Sequence, residues 1–171
     1  TDFSVQVQSC KDAGADLVFL PIYYTEASLI LTEANSTGYK PIFFGCDGLD
    51  GVLGVKNFNK ELAEGVMLLT PFSADATDEK TVAFVKTYKE LYKDVPNQFA
   101  ADAYDGVYIL KAAIEKAGLK PDASVADVNE ALKKAITEIT VDGLTGAGMK
   151  WEASGEVSKE PRAVVIKDGT Y

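Results

Sequence analysis

A chain of 171 residues with 47% hydrophobic composition can bury one generous core or parts of two. Its 26 acidic against 17 basic residues give a formal net charge of −9, which repels phosphate backbones and anionic membranes, so nucleic acid is not an expected partner. Histidine is absent, which removes the imidazole of the common nucleophilic triads and the commonest metal ligand; no metal and no other cofactor is expected.

No apolar run approaches the roughly 20 residues of a membrane span. The opening Thr1-Asp2-Phe3 is not a charged-then-apolar leader, so any export signal is expected to have been removed or never to have been in this sequence. Cys10 and Cys46 form no CxxC pair and read as two free, mostly buried thiols, with a disulfide between them as the alternative.

The first third alternates helical and strand patterns, which predicts an α/β fold with a parallel sheet. Residues 3–13 form an amphipathic helix ending at Gly14, and Leu17-Val18-Phe19-Leu20 is a continuous apolar run expected of a strand buried on both faces. Thr25 stands as the N-cap of a helix that stops at Gly38. A second buried strand, Ile42-Phe43-Phe44, exits through Gly45-Cys46-Asp47-Gly48-Leu49-Asp50-Gly51, and a third, Val66-Met67-Leu68-Leu69, ends at Thr70-Pro71.

Beyond Pro71 the pattern changes. Asp75, Thr77 and Asp78 introduce a helix of about 15 residues. A second helix runs over about 98–117 with Ala101, Tyr104, Val107, Tyr108 and Ala112 on its apolar side, and a third opens at the capping box Ser124 to Asp127. The tail returns to strand over 143–151, with Trp151 in the core, a turn at 153–156, and a last strand at 163–166. Three strands, three consecutive helices and a hairpin make a poor closed domain, because the helices offer apolar faces without a sheet to cover. The expectation is that 1–171 is the later part of a longer chain; the alternative is a compact three-layer domain of unusual element order.

Ligands of open parallel sheets bind beyond the carboxyl ends of the strands. Tyr23 and Tyr24 follow the first strand, and Asp47 follows the second, flanked by glycines that admit close approach to the backbone. Together they suit a small cationic amine with an apolar substituent. Each has a plainer reading: the tyrosines as a packed loop anchor, Asp47 as a turn residue. Asp47 and Asp50 lack the further oxygen ligands of a Mg or Ca site, and the glycines of 45–54 spell no phosphate loop.

The segment Ala-Gly-Ala-Asp-Leu-Val-Phe-Leu-Pro-Ile-Tyr-Tyr-Thr-Glu-Ala (13–27) closely resembles the Leu/Ile/Val-binding protein family. The resemblance continues in order through Phe-Phe-Gly-Cys-Asp-Gly (43–48), Ala-Glu-Gly-Val (63–66), Gln-Phe-Ala-Ala-Asp-Ala-Tyr-Asp-Gly-Val-Tyr (98–108) and Gly-Leu-Thr-Gly (143–146). It implies one Rossmann-like lobe of an incomplete two-lobed periplasmic binding protein of type I, closing on its ligand by a hinge. Residues 1–70 and 149–171 would belong to the second lobe, and the helices of 73–142 would pack on a first lobe whose strands are not in this sequence. Crossings between lobes would lie near Leu69–Phe72, near Gly143–Gly148 and upstream of Thr1.

By the same resemblance Asp47 is the acid that pairs with the ligand's ammonium, Tyr23 is an aromatic contact beside it, and Gly48 and Phe99 occupy contact positions. The implied protein is an extracytoplasmic solute-binding component of an ABC importer, not an enzyme, with a branched-chain or similar amino acid as ligand. Its partners would be a membrane permease and its own N-terminal lobe. A ligand-binding sensor domain of the same fold is the alternative function; an enzyme using Asp47 or Asp50 as general base is a third reading, disfavoured by the lack of histidine and of an activated nucleophile.

Overall fold

The computed structural model describes residues 2–171. The chain divides into two compact units, Thr1–Gln98 with Pro161–Tyr171, and Phe99–Glu160.

In the first unit, helix α1 (Ser4–Asp12) is opened by Asp2, whose Oδ1 accepts the Ser4 amide at 2.8 Å, and closed at Gly14 in the left-handed region. Strand β1 (Leu17–Leu20) follows, then α2 (Tyr24–Ser36), β2 (Ile42–Gly45), three short 3-10 turns at Asp47–Leu49, Val52–Gly54 and Lys60–Ala63, β3 (Met67–Leu69) and helix α3 (Glu79–Tyr92). Helix α2 begins ahead of the expected cap: Tyr23 is the extended residue before it, and Thr25 lies in its first turn. Asp78 caps α3 through the Thr81 amide at 2.9 Å.

In the sheet β1, β2 and β3 run parallel in that order, and the last strand, β4 (Ala163–Val165), lies antiparallel beside β3. All three parallel strands therefore deliver their carboxyl ends to one edge. Their register, Leu20 beside Gly45 beside Leu68, puts these three on one face, where Leu20 and Leu68 join Leu31, Leu49 and Ile166 in the core. The opposite face, with Leu17, Phe19, Ile42 and Val165, is about half exposed. The expectation of strands buried on both faces is corrected here: an apolar run shows that neither side is polar but not that both sides are covered.

The second unit contains most of α4 (Gln98–Ala117) and all of α5 (Val125–Ile136), whose cap Ser124 accepts the Asp127 amide at 3.2 Å and donates to Asp127 Oδ2 at 2.7 Å. Helix α4 turns Ala101, Asp105 and Ala113 inward, so Ala101 faces the core as expected, while Val107 and Tyr108 of the expected apolar side, and Leu110, are more than half exposed. The Asp105 carboxylate explains this orientation, because it accepts the Leu144 and Thr145 amides and the Thr145 hydroxyl, each at 2.8 Å.

The strand expected over 143–151 is replaced by a tight loop. Val141 bridges Met149, and the Gly143 amide bonds to Gly146 O at 2.8 Å inside that bridge. Trp151 is half-buried and bridges Val157 around a turn at 152–156. The 163–166 segment is not the partner of 143–151 in a hairpin; it completes the sheet of the first unit through β3.

Candidate functional site

The exits of β1 and β2 meet at the carboxyl edge of the sheet. Gly48, the middle residue of the first 3-10 turn, is buried with its Cα against the β1 exit loop: a side chain there would strike the Ile22 carbonyl oxygen and come within 3.4 Å of Tyr23 Cα. Only glycine allows these two backbones to touch. Asp47 precedes it with an exposed side chain, and Tyr23 is 64% exposed at the head of α2. Three of the four expected site residues, Tyr23, Asp47 and Gly48, thus lie on adjoining loops of one unit. Phe99, the second residue of α4, is half-buried and belongs to the second unit.

Three residues after Asp47, a second carboxylate has the opposite environment. Asp50 is 4% exposed, its Oδ2 accepts the Gln98 amide at 2.6 Å, and it also takes the Tyr171 hydroxyl, which in turn accepts the Gly51 amide at 2.9 Å. Burial raises the Asp50 pKa above the ordinary carboxylate value, against the lowering effect of these donors. Burial, with the neighbouring Asp50 charge, pushes the Tyr171 phenol up to about 12. The Gln98 side chain is also buried and donates from Nε2 to the Asp47 carbonyl at 2.9 Å.

A cavity of about 400 Å³ opens beside Asp50, Tyr24, Phe72, Asn97 and Tyr171. Neither Asp47 nor Tyr23 lines it. The donors around Asp50 are the Gln98 and Gly51 amides and the Tyr171 and Thr70 hydroxyls, so its geometry is that of a fastening between segments. Cys10 and Cys46 are free thiols, half-buried and not mostly buried as expected. Among the described residues no group of three or more His, Cys, Asp or Glu is arranged to hold a metal ion, and no helix is long and apolar enough to cross a membrane.

Sequence patterns mark Asp50 as a second carboxylate beside Asp47 or a general base, and single out no role for Gln98, Tyr171 or Asp105. Asp105 could have been found, since it falls on the helical stripe with Ala101 and Ala113, where an acid interrupts otherwise small, buried residues. Tyr171 carried no such signal, lying 120 residues from the amide it accepts.

A mostly parallel open sheet of order β1-β2-β3-β4 with helices between its parallel strands defines an α/β lobe, a fold whose ligands lie beyond the carboxyl ends of the strands. The model of the periplasmic binding protein family matches residues 1–170, and the chain belongs to that family. It is 30% identical over 132 residues to a leucine-, isoleucine-, valine-, threonine- and alanine-binding protein of Pseudomonas aeruginosa, covering 77% of this chain and 34% of that one. Among solved structures it resembles the leucine-binding protein LivK of Thermotoga maritima, with a TM-score of 0.80 at 25% identity over 99% of this chain and 46% of that one. It also resembles the branched-chain amino acid transporter substrate-binding protein LivJ of Streptococcus pneumoniae, solved with isoleucine, with a TM-score of 0.77 at 26% identity over the same shares. The chain therefore spans under half the length of these relatives.

Proposed function

We propose that this chain supplies one wall of an amino-acid site in the extracytoplasmic solute-binding component of an ABC importer. The observation that carries the reading is the seat of Gly48 on the Ile22–Tyr23 backbone, which brings an exposed carboxylate and an exposed phenol to one rim of the sheet. Asp47 takes the ligand's α-ammonium in a charge-assisted hydrogen bond, a contact worth about 1.5 to 3 kcal/mol. Tyr23 shields the ligand's apolar part, and Gly48 leaves room for it to approach the backbone. The names of the relatives, which bind leucine, isoleucine or valine, favour a branched-chain or similar amino acid.

In this reading the opposite wall comes from a first lobe outside this sequence. The exposed Val107, Tyr108 and Leu110 of α4 are the apolar surface offered to that lobe. Hinged closure then excludes water from the ammonium–carboxylate pair and strengthens it. The permease of the importer reads the closed form, and no bond in the solute is made or broken.

Calorimetric titration of the full-length protein with L-leucine, L-isoleucine and L-valine tests this. Asp47→Ala should weaken binding by about tenfold or more. Unchanged affinity in a folded variant removes Asp47 from the site.

A further inference from the structure

Asp47 can present its carboxylate only if its backbone is held, yet the side chain itself is exposed and makes no use of the core. The residue beneath it is Gln98, at 1% exposure. Its Nε2 donates to the Asp47 carbonyl at 2.9 Å, its Oε1 lies 3.2 Å from the Thr70 hydroxyl, and its backbone amide donates to Asp50 Oδ2 at 2.6 Å. Thr70 follows β3 directly, and its hydroxyl also bonds to Phe72 O at 2.9 Å. One side chain therefore joins the exit of β2 to the exit of β3, while its backbone joins both to the buried carboxylate. The Asp47 carbonyl already accepts the Asp50 amide at 3.0 Å within the 3-10 turn, so the Gln98 bond is a second anchor on the same oxygen.

We propose that Gln98 is a positioning residue for ligand capture: its amide fixes the Asp47 backbone from below, so that the acid side chain meets the ligand already oriented. The inference rests on the reading of Asp47 as the ammonium-binding residue, and it goes beyond that reading by assigning the specificity of the rim's geometry to a residue that does not touch the ligand. Preorganisation of this kind improves affinity by removing the ordering cost at the moment of binding. Both polar atoms of the amide are needed. A carboxylate at 98 has no proton for the Asp47 carbonyl, whereas a carboxylic acid does.

The test uses the full-length protein with Gln98→Met, Gln98→Glu and Asp47→Ala, titrated with L-leucine, L-isoleucine and L-valine at about pH 7.5 and about pH 5, each variant scored against wild type at the same pH. Gln98→Met should weaken binding by about tenfold at both pH values. Gln98→Glu should weaken it similarly at the higher pH and recover to within about threefold at the lower, where the new side chain is protonated and donates again. A residue that merely supports folding would lower the unfolding temperature of both variants without any recovery of affinity in acid. Amide hydrogen exchange of residues 46–51, which needs no ligand, should accelerate in Gln98→Met. Wild-type affinity with wild-type exchange in Gln98→Met, or a Gln98→Glu deficit that does not change with pH, overturns the proposal. If Asp47→Ala binds normally, the site reading itself fails, and the exchange experiment still decides whether Gln98 holds the turn.

Discussion

The two units each bury an aspartate that forms no ion pair among the described residues, and they satisfy it differently. In the second unit Asp105 collects three donors from two consecutive residues, Leu144 and Thr145, and so closes the 141–149 loop onto helix α4. In the first unit Asp50 draws on donors far apart in sequence, the Gln98 amide and the Tyr171 hydroxyl, and burial still raises its pKa. Asp105 is a clamp that holds one loop; Asp50 is a junction that ties distant segments beneath the exposed Asp47. The difference teaches that buried carboxylates in this chain are placed where backbone amides must be gathered.

The largest effect is expected at the clamp. Asp105→Ala leaves two backbone amides and a hydroxyl without their acceptor, and should cost about 3 to 5 kcal/mol in urea unfolding of the full-length protein. Thr145→Val removes one of the three donors and should cost about 1 kcal/mol by the same measurement. If Asp50→Ala proves as costly as Asp105→Ala, the distinction between clamp and junction is lost.

A smaller effect with a definite sign is expected at the junction. Asp50→Asn keeps an acceptor for the Gln98 amide but sets an amide group against the Tyr171 hydroxyl, a mismatch of about 1 to 2 kcal/mol near pH 4. Because the folded-state pKa of Asp50 lies above its unfolded value of 3.8, the folded protein holds its proton longer, so wild-type stability is full below that value and declines as pH rises through the raised pKa. The asparagine variant has no such decline. The stability gap between the two should therefore shrink as pH is raised from about 4 to about 7, in paired unfolding curves. A gap that widens would mean that the donors around Asp50 outweigh its burial.

How much of this was legible follows from the same contrast. Local chemistry was readable: Asp78 and Ser124 cap their helices as their spacing predicts, Gly14 and Gly38 adopt the left-handed conformation after α1 and α2, and the β1 and β2 apolar runs pair in parallel. Two of the errors concern coverage. The runs at Leu17–Leu20 and Ile42–Phe44 do not tell whether one or both faces are buried, and along α4 the large Tyr104, Val107 and Tyr108 draw the apolar stripe away from Asp105 and Ala113, which face inward with Ala101. The placement of Tyr23, Asp47 and Gly48 at one rim could be anticipated because parallel strands bring their exits together. The junction was not readable, because its members at 50, 70, 98 and 171 are joined only by the fold.

The smallest effect tests the far end of that junction. Tyr171→Phe removes the acceptor for the Gly51 amide and the hydroxyl donor to Asp50, at a cost of about 1 kcal/mol near neutral pH. Its more informative consequence appears in alkali. With the folded-state phenol at about 12 against 10.0 unfolded, the stability contributed by the buried hydroxyl is complete below pH 10 and is lost as pH climbs towards 12, since the unfolded chain releases that proton first. Wild type and Tyr171→Phe should consequently converge between about pH 10 and 12 when unfolding free energies are compared. Parallel curves across that range would show that the phenol is not held against the Asp50 carboxylate, and the junction would then end at Gln98.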